Sequence, residues 1–196
     1  MFNKFLRFSC LGCYMRDSLE EFSKFLSYVL RHKPEVIGLL LDVEGWASIE
    51  DLIKGAESVG KFLSYETISN IVSRSDKKRF EISENGANIR AVQGHSSESV
   101  KRKYSALQPP DFLYHGTATR FLDSIRKEGL LHGARHHVHL TENEVLAHDV
   151  GLRYGRSVVL RIKSYQMFLN GFKFFRAEND VWLTLTVPPE FIDMWD

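Results

Sequence analysis

The chain has 196 residues, of which 43% are hydrophobic and 26% are charged, a composition typical of soluble globular proteins. Its net charge of +1 excludes a strong overall attraction to nucleic acid, so any RNA or DNA binding has to come from local clusters of its 26 Lys and Arg residues. No apolar run approaches the roughly 18 residues that a membrane-spanning helix needs. We therefore expect a cytoplasmic protein that does not enter a membrane.

Both cysteines, Cys10 and Cys13, lie in one C-x-x-C motif within an N-terminal extension, residues 1–17. Such a motif can be redox-active or can supply half of a zinc site. No predicted strand precedes it and no second cysteine pair follows, so we assign it neither role. The lack of any other cysteine in the sequence excludes a disulfide scaffold and fits a reducing cytoplasm.

Three helices are predicted after this extension. Ser18 followed by Glu21 matches a capping box, and apolar residues then recur at helical spacing through Leu30. The apolar stripe continues to His32, whereas Arg31 lies about 100° around the helix. Two further helices are predicted in the segments DVEGWASIEDLI and SYETISNIVSRS, residues 42–53 and 64–75.

A β-hairpin follows, because Asn85-Gly86 is a strong signal for a two-residue turn. Arg79 and Arg90 share one face of this hairpin, either as a small exposed positive platform or as an ordinary solvated surface. The order of three helices and a hairpin is that of a winged-helix module, here residues 18–95. The residues predicted to pack on the helices form two cross-strand pairs, Phe80 with Ala91 and Ile82 with Ile89.

A polar segment that runs into two prolines, residues 96–109, predicts a linker. Short strands then alternate with two helices over residues 110–196, which predicts a second lobe with an antiparallel-rich β core. The fold class predicted for the whole chain is therefore α+β, with two lobes.

Histidines cluster in the second lobe, at His115, His136, His137 and His139. His137 and His139 alternate on a predicted strand, so both side chains should point to one side of it. Nothing in the sequence places a third ligand beside them, and we predict no metal site. Gly116 follows His115 at the end of a strand and would allow a ligand to approach the backbone, although a turn glycine beside a structural histidine is common.

The first core helix ends on two polar residues side by side, directly before Pro34. Their position suggests that they bind and activate a phosphate group. The sequence has no Walker phosphate loop, no dinucleotide-binding glycine motif and no serine-hydrolase elbow, so these classical sites are unsupported. Basic residues that lie at the edges of predicted elements could instead converge on one cleft: Arg31, His32, Arg79, Arg90 and Arg135.

Six separated motifs resemble, in order, those of the tRNA 2′-phosphotransferase family, over about residues 18–194. They are LRHKP (30–34), KKRF (77–80), IRAVQGHS (89–96), YHGT (114–117), RHHVHL (135–140) and FFRAENDVWLT (174–184). The resemblance implies an N-terminal winged-helix lobe that binds RNA. It also implies a C-terminal lobe with the ADP-ribosyltransferase fold, which binds NAD⁺ as co-substrate.

The reaction implied by this resemblance has two steps and acts on an RNA with an internal 2′-phosphate, as at a tRNA splice junction. The 2′-phosphate attacks C1″ of the nicotinamide ribose and expels nicotinamide, which gives a 2′-phospho-ADP-ribosylated RNA. The ribose O2″ then attacks the phosphorus. The products are RNA with a 2′-hydroxyl group and ADP-ribose 1″,2″-cyclic phosphate.

The resemblance also implies roles for individual residues. The family's catalytic Arg-His-Arg-Arg set corresponds to Arg31, His32, Arg79 and Arg135, with Arg153 and Arg156 as alternatives for the fourth position. Residues implied to bind NAD⁺ are His115, Gly116, Thr117, His139, Arg176 and Val181. Residues implied to bind the RNA and its phosphate are Arg90, Gln93 and His95. Val181 stands where toxin-like relatives keep a catalytic Glu, which suits a nucleophile that is already anionic.

Two other functions are compatible with the sequence. One is a winged-helix regulator that senses NAD⁺ or ADP-ribose without turnover and uses its hairpin arginines to bind nucleic acid. The other is an ADP-ribosyltransferase that caps a terminal phosphate of RNA or DNA. Release of nicotinamide would separate an enzyme from the regulator, and a stable ADP-ribosylated end would indicate capping. In each case we expect a monomer.

Overall fold

The computed structural model describes the backbone of residues 11–75 and 78–194, and the side chains of residues 19–75 and 78–193. The helices in this part of the chain are α1 (Leu11–Arg31), α2 (Ile49–Ser58), α3 (Tyr65–Ser73), α4 (Leu122–Glu128), α5 (Glu144–Leu152) and α6 (Ser164–Leu169). Three short 3-10 turns accompany them, at Pro34–Ile37, Thr119–Phe121 and Pro189–Phe191.

The strands all pair in antiparallel fashion. They are β1 (Trp46–Ser48), β2 (Phe80–Ile82), β3 (Asn88–Ala91), β4 (Leu113–Ala118), β5 (Leu130–Leu131), β6 (Val138–Leu140), β7 (Ser157–Ile162), β8 (Phe175–Arg176), β9 (Trp182–Thr184), β10 (Thr186–Val187) and β11 (Ile192–Met194). The prediction of a chain that mixes helices with antiparallel sheets is confirmed. None of the described helices combines the length and the apolar character that crossing a membrane requires.

Helices α1 to α3 pack on a sheet with the strand order β1-β3-β2. The predicted register of the hairpin is confirmed, since Phe80 lies opposite Ala91 and Ile82 opposite Ile89. Two predictions for this region are wrong. Helix α1 begins at Leu11 and not at Ser18, and the segment expected to lead directly into α2 first forms strand β1, which pairs with β3. Cys10 lies outside the described residues, as does the side chain of Cys13.

The remaining strands form two larger sheets, β11-β7-β4 and β6-β9-β8, and the small pair β10-β5. A β-bridge between Tyr114 and Thr141 joins β4 to the residue that follows β6, so the two larger sheets meet there. Helix α5 lies against β4, where Gly116 leaves no side chain between them. This arrangement places the residues of the HGT motif close to those of the HHVHL motif.

The hydrophobic core has one cluster around the first three helices and another between the larger sheets. A third, small cluster joins Val92, which follows β3, to Ala177 and Leu183 near β8 and β9. This cluster connects the N-terminal sheet to the C-terminal one. It therefore fixes the relative position of segments that are far apart in sequence.

The segment predicted as a linker, residues 96–109, packs closely on both neighbours. Val100 is completely buried, and the Lys101 backbone N–H donates to the Val43 carbonyl. Further along, Ala106 forms a β-bridge with Phe175. The segment is polar in sequence, but it lies across the molecule as an ordered strap rather than as a free tether.

Candidate active site

The end of α1 forms a turn that carries Arg31 and His32. A 3-10 turn, Pro34–Ile37, follows directly, because its proline cannot continue the α-helix. The Ser96 backbone N–H donates to the Arg31 carbonyl over 2.9 Å and satisfies a group that the end of a helix leaves open. Gly94 has a φ of +89°, and its backbone lies against the Arg31 side chain. The GHS segment therefore covers the end of α1 and holds it in place.

Arg31, Arg79 and Arg135 converge although they come from three distant segments. The Nη2 group of Arg31 donates to the Arg79 carbonyl over 3.4 Å. Burial, followed by the positive charges of Arg135 and Arg79, lowers the pKa of Arg31 to about 10. The Nε atom of Arg31 is buried and has no hydrogen-bond partner among the described residues. The Arg79 guanidinium donates to the Ser75 hydroxyl over 3.2 Å. The three arginines are thus close enough for their positive charges to act on Arg31.

His32 lies beside this group of arginines. Its Nδ1 atom is 3.0 Å from the Ser96 hydroxyl oxygen. Burial lowers the pKa of the His32 ring below its ordinary value, and the charges of Arg135 and Arg31 lower it further. Because its ordinary pKa is already below 7, the ring is neutral at neutral pH.

Arg135 connects this turn to two histidines of the C-terminal sheets. Its Nη1 group donates to Nδ1 of His139 over 3.4 Å. The Nδ1–H group of His115 in turn donates to the His139 carbonyl over 3.0 Å. Arg135 also lowers the pKa of both rings, although burial is the larger cause in each, and the pKa of His139 falls to about 3. Its Nε2 atom is buried and has no partner in the described part of the chain.

The structure distinguishes Arg135 from the two alternatives considered for the fourth arginine. The charge of Arg135 acts directly on Arg31 and His32. Arg153 instead lies at the C-terminal end of α5, and the Arg156 carbonyl accepts from the Thr119 backbone N–H in the turn before β7. Arg135 is therefore the candidate that the fold brings to the other three residues.

The YHGT motif has a packing role as well as its position beside the site. A side chain on Gly116 would overlap the Ala147 carbonyl of α5, so this glycine allows the helix to touch the strand. Thr117 is buried on the opposite face of β4. The glycine does not open that face of the backbone to a ligand, which differs from the interpretation made from the sequence.

A cavity of about 630 Å³ lies between the ordered strap and the strand that carries the histidines. His137 and His139 both line it, which confirms that they point to one side. His95 lines the opposite wall, where burial and then the charge of Arg102 lower its pKa to about 3. Its Nε2 atom is buried without a partner among the described residues. Gly94 also lines the cavity and touches Arg31, so the cavity adjoins the converging arginines.

Three further residues predicted for the site differ in their surroundings. Arg176 shares a sheet face with Trp182, opposite to the face of His139, and forms ion pairs with Asp180 at 3.0 Å and Glu142 at 3.8 Å. Val181 packs on the small third hydrophobic cluster. Gln93 is half-buried between that cluster and Gly94.

The exposed positive platform considered for Arg79 and Arg90 is not present. Arg79 is exposed, but the Arg90 side chain is only 13% exposed and stacks on the Trp46 ring at 4.3 Å. Arg90 also pairs with Glu81 at 2.7 Å and with Glu178 at 3.3 Å. Its charge is thus neutralised within the protein.

Glu178 also pairs with Arg102 of the strap, at 2.5 Å, so one carboxylate connects two arginines from different segments. Arg102 is only 5% exposed, donates to the Val92 carbonyl and stacks on Tyr104. The role of Arg102 was not visible in the sequence, where the basic run KRK stands in a segment interpreted as a linker. Within the described residues, no three His, Cys, Asp or Glu side chains are arranged to hold a metal ion.

Comparison with known proteins agrees with these motifs. Residues 17–186 match the family model described as RNA 2′-phosphotransferase, Tpt1/KptA family. A probable RNA 2′-phosphotransferase of Pectobacterium carotovorum strain PC1 is 57% identical over 171 residues, which cover 87% of this chain and 92% of that protein. A probable RNA 2′-phosphotransferase of Escherichia coli strain K12 is 52% identical over 180 residues, which cover 92% of this chain and 98% of that protein.

Proposed function

The chain belongs to the RNA 2′-phosphotransferase, Tpt1/KptA family, and from this premise we propose that it removes an internal 2′-phosphate from RNA by transferring it to NAD⁺. The observation that carries the proposal is the convergence of Arg31, Arg79 and Arg135 around His32, beside a cavity lined by His95 and His139. Among the described residues these guanidinium groups have no carboxylate partner, and such a group suits a doubly charged phosphate.

The proposal assigns one substrate to each half of the molecule. Residues 18–95 would form a winged-helix lobe for RNA, and residues 110–196 would form an ADP-ribosyltransferase-like lobe for NAD⁺, with the strap at residues 96–109 between them. The order of α1, β1, α2, α3 and the β2-β3 hairpin supports the first assignment. We further propose that the protein acts as a cytoplasmic monomer on tRNA splice junctions.

In the first step, an oxygen of the RNA 2′-phosphate attacks C1″ of the nicotinamide ribose. The bond from C1″ to the ring nitrogen breaks, and its electron pair leaves with nicotinamide, which is then neutral. The phosphate is already an anion and needs orientation more than activation. Arg31 and Arg135 would provide this orientation, since the charge of Arg135 acts on Arg31 and Arg135 also bonds to His139 beside the cavity.

In the second step, O2″ of the same ribose attacks the phosphorus and the bond to the RNA 2′-oxygen breaks. Negative charge then accumulates on the phosphoryl oxygens, and the guanidinium groups would lower this barrier by hydrogen bonds to them. Arg79 is exposed at the edge of the group and would act mainly here. The proton of O2″ has to reach the departing 2′-oxygen, and a hydrogen bond from the neutral ring of His32 to the phosphate would orient the phosphoryl group for that transfer.

For NAD⁺, the proposal places the nicotinamide and its ribose near His115 and His139. The buried Nε2 atom of His139 has no partner in the described protein and could bond to a ribose hydroxyl group. Thr117 lies two residues after His115 on β4 and shares its face of the strand, whereas Gly116 faces α5. Arg176 lies on the opposite face of its sheet and stays a candidate for the ADP part. Val181 packs with Leu183, which lines the cavity, and stays a predicted NAD⁺-binding residue.

The direct test is incubation of the protein with NAD⁺ and a short RNA that carries one internal 2′-phosphate. The expected products are free nicotinamide, RNA with a 2′-hydroxyl group and ADP-ribose 1″,2″-cyclic phosphate, all identified by mass spectrometry. An RNA without the 2′-phosphate is the control and should release no nicotinamide. If the RNA keeps its 2′-phosphate, the proposal is refuted. A stable ADP-ribosylated RNA end would indicate the capping reaction instead.

A further inference from the structure

We propose that Ser96 is a positioning residue for His32: its hydroxyl donates to Nδ1 and keeps the ring in the tautomer that carries its proton on Nε2. This inference deepens the proposed function and rests on it. Ser96 would not touch the substrate. It would act by determining which ring nitrogen of His32 can donate a hydrogen bond to the RNA phosphate.

Two contacts place Ser96 for this role. Its hydroxyl oxygen is 3.0 Å from Nδ1 of His32, and its backbone N–H donates to the Arg31 carbonyl over 2.9 Å. The backbone contact fixes the distance between the two segments, although they are 64 residues apart. The backbone contact therefore holds the Ser96 hydroxyl beside the His32 ring.

The chemistry of the substrate selects the direction of this hydrogen bond. A doubly ionised phosphate can only accept hydrogen bonds, so the ring nitrogen that faces it has to carry a proton. Nδ1 is turned to Ser96, which leaves Nε2 for the phosphate. A neutral imidazole has one proton, so Nδ1 must then accept, and a serine hydroxyl can donate to it.

The positive charges around His32 keep its ring neutral. A neutral ring carries one proton, so its tautomer determines which nitrogen can donate a hydrogen bond. Arg31 precedes it on α1, Arg135 faces it from the segment before β6, and His95 lies nearby on the segment after β3. The burial of His95 keeps that ring neutral as well. A cationic His32 would donate from both nitrogens and would not need Ser96, but the neighbouring guanidinium groups disfavour that state.

The kinetic test compares Ser96→Ala with Ser97→Ala, a matched change at the next residue. Ser97 bonds to Ser99 and not to His32, so its variant should keep full activity. We expect Ser96→Ala to lower kcat about tenfold, the effect of one hydrogen bond, with the KM for NAD⁺ within about twofold of wild type. Ser96→Thr keeps a hydroxyl and should recover most of kcat. Equal kcat in Ser96→Ala and wild type, or failure of Ser96→Thr to recover activity, would overturn the proposal.

A second measurement does not depend on turnover. Nitrogen-15 NMR of the His32 ring distinguishes the two neutral tautomers. We expect wild type and Ser96→Thr to hold the proton on Nε2, and Ser96→Ala to show a mixture. A ring that carries its proton on Nδ1 in wild type would contradict the assignment, even if the variants were unstable. If wild type does not act on 2′-phosphorylated RNA, the proposed function fails; the NMR result then still decides whether Ser96 fixes the ring.

Discussion

Two groups of arginines in this molecule have opposite electrostatic surroundings. The unpaired group consists of Arg31, Arg79 and Arg135, and within the described residues none of them forms an ion pair with a carboxylate. The paired group consists of Arg90 and Arg102, which share Glu178 and are nearly buried. Carboxylates of the protein thus neutralise the second group, whereas no described carboxylate neutralises the first.

This difference separates structural arginines from candidate binding arginines. Positive charges held close together destabilise a fold unless an anion binds among them, so such a cluster indicates a binding site. Buried arginines with carboxylate partners stabilise the contact between segments, because removing one partner leaves an uncompensated charge. The comparison therefore predicts that substitutions in the unpaired group affect activity and that substitutions in the paired group affect stability.

The largest effect is expected at the end of α1. Arg31→Ala and His32→Ala should each lower turnover at least about a hundredfold, as the loss of one transition-state donor does. Thermal unfolding should change little. Lys33→Ala is a matched control in the same turn, since Lys33 is exposed and pairs with Glu35 on the surface, and it should keep full activity. Wild-type turnover in either variant would remove that residue from the mechanism.

Arg79→Ala should affect the two steps unequally. Arg79 is exposed, and in the proposed mechanism its guanidinium acts mainly in the second step, when negative charge accumulates on the phosphoryl oxygens. We expect that step to slow at least about tenfold more than the first, so that 2′-phospho-ADP-ribosylated RNA accumulates. Rapid-quench samples analysed by mass spectrometry would detect it. Complete arrest of NAD⁺ consumption would contradict the assignment of Arg79 to the second step.

Glu178→Gln tests the paired group. The change leaves Arg90 and Arg102 without their shared partner, while Glu178 itself is 34% exposed. We expect a loss of about 2 kcal/mol in the free energy of unfolding, measured by urea titration. Glu190→Gln, at an exposed position, should have no measurable effect. A loss of turnover larger than the fraction of unfolded protein explains would show that the two groups are not separate.

Acid should destabilise the cleft in a defined pH range. The pKa of His95 is lowered to about 3 in the folded protein, against about 6.5 when unfolded. The unfolded chain therefore binds a proton first, so the stability from this residue is complete above pH 6.5 and is lost as pH falls towards 3. Between pH 6.5 and 4.5 the loss is about 2 to 3 kcal/mol. Urea titrations of wild type and His95→Gln should show that the free energy of unfolding depends less on pH in the variant. An equal dependence on pH in the two proteins would contradict the assignment to His95.

The parts of the fold that depend on local sequence were predictable. The Asn85-Gly86 turn and the alternation around it gave the register of β2 and β3. Strand β1 was missed because it has only three residues between a turn glycine and a capped helix. The partners of Arg90 were not visible either, since Glu178 is 88 residues away and nothing in the sequence pairs them.

The candidate site was predictable to a similar degree. The motifs placed Arg31, His32, Arg79 and Arg135 in one set, and the fold brings them together. Gly116 packs against a helix that is distant in sequence, and the ordered strap is held by contacts with distant segments. The periodicity of hydrophobic residues in the sequence does not reveal such contacts. Arg176 matched a motif, but the register of β8 turns it to the other face of its sheet.

The most direct test of the unpaired group is the affinity for a short RNA with and without its internal 2′-phosphate, measured by calorimetry in the absence of NAD⁺. The 2′-phosphate should increase affinity at least about tenfold in wild type and in Arg153→Ala, and should add little in Arg31→Ala or Arg135→Ala. Equal affinity of the wild-type protein for the two RNAs would contradict the assignment of this group to the phosphate.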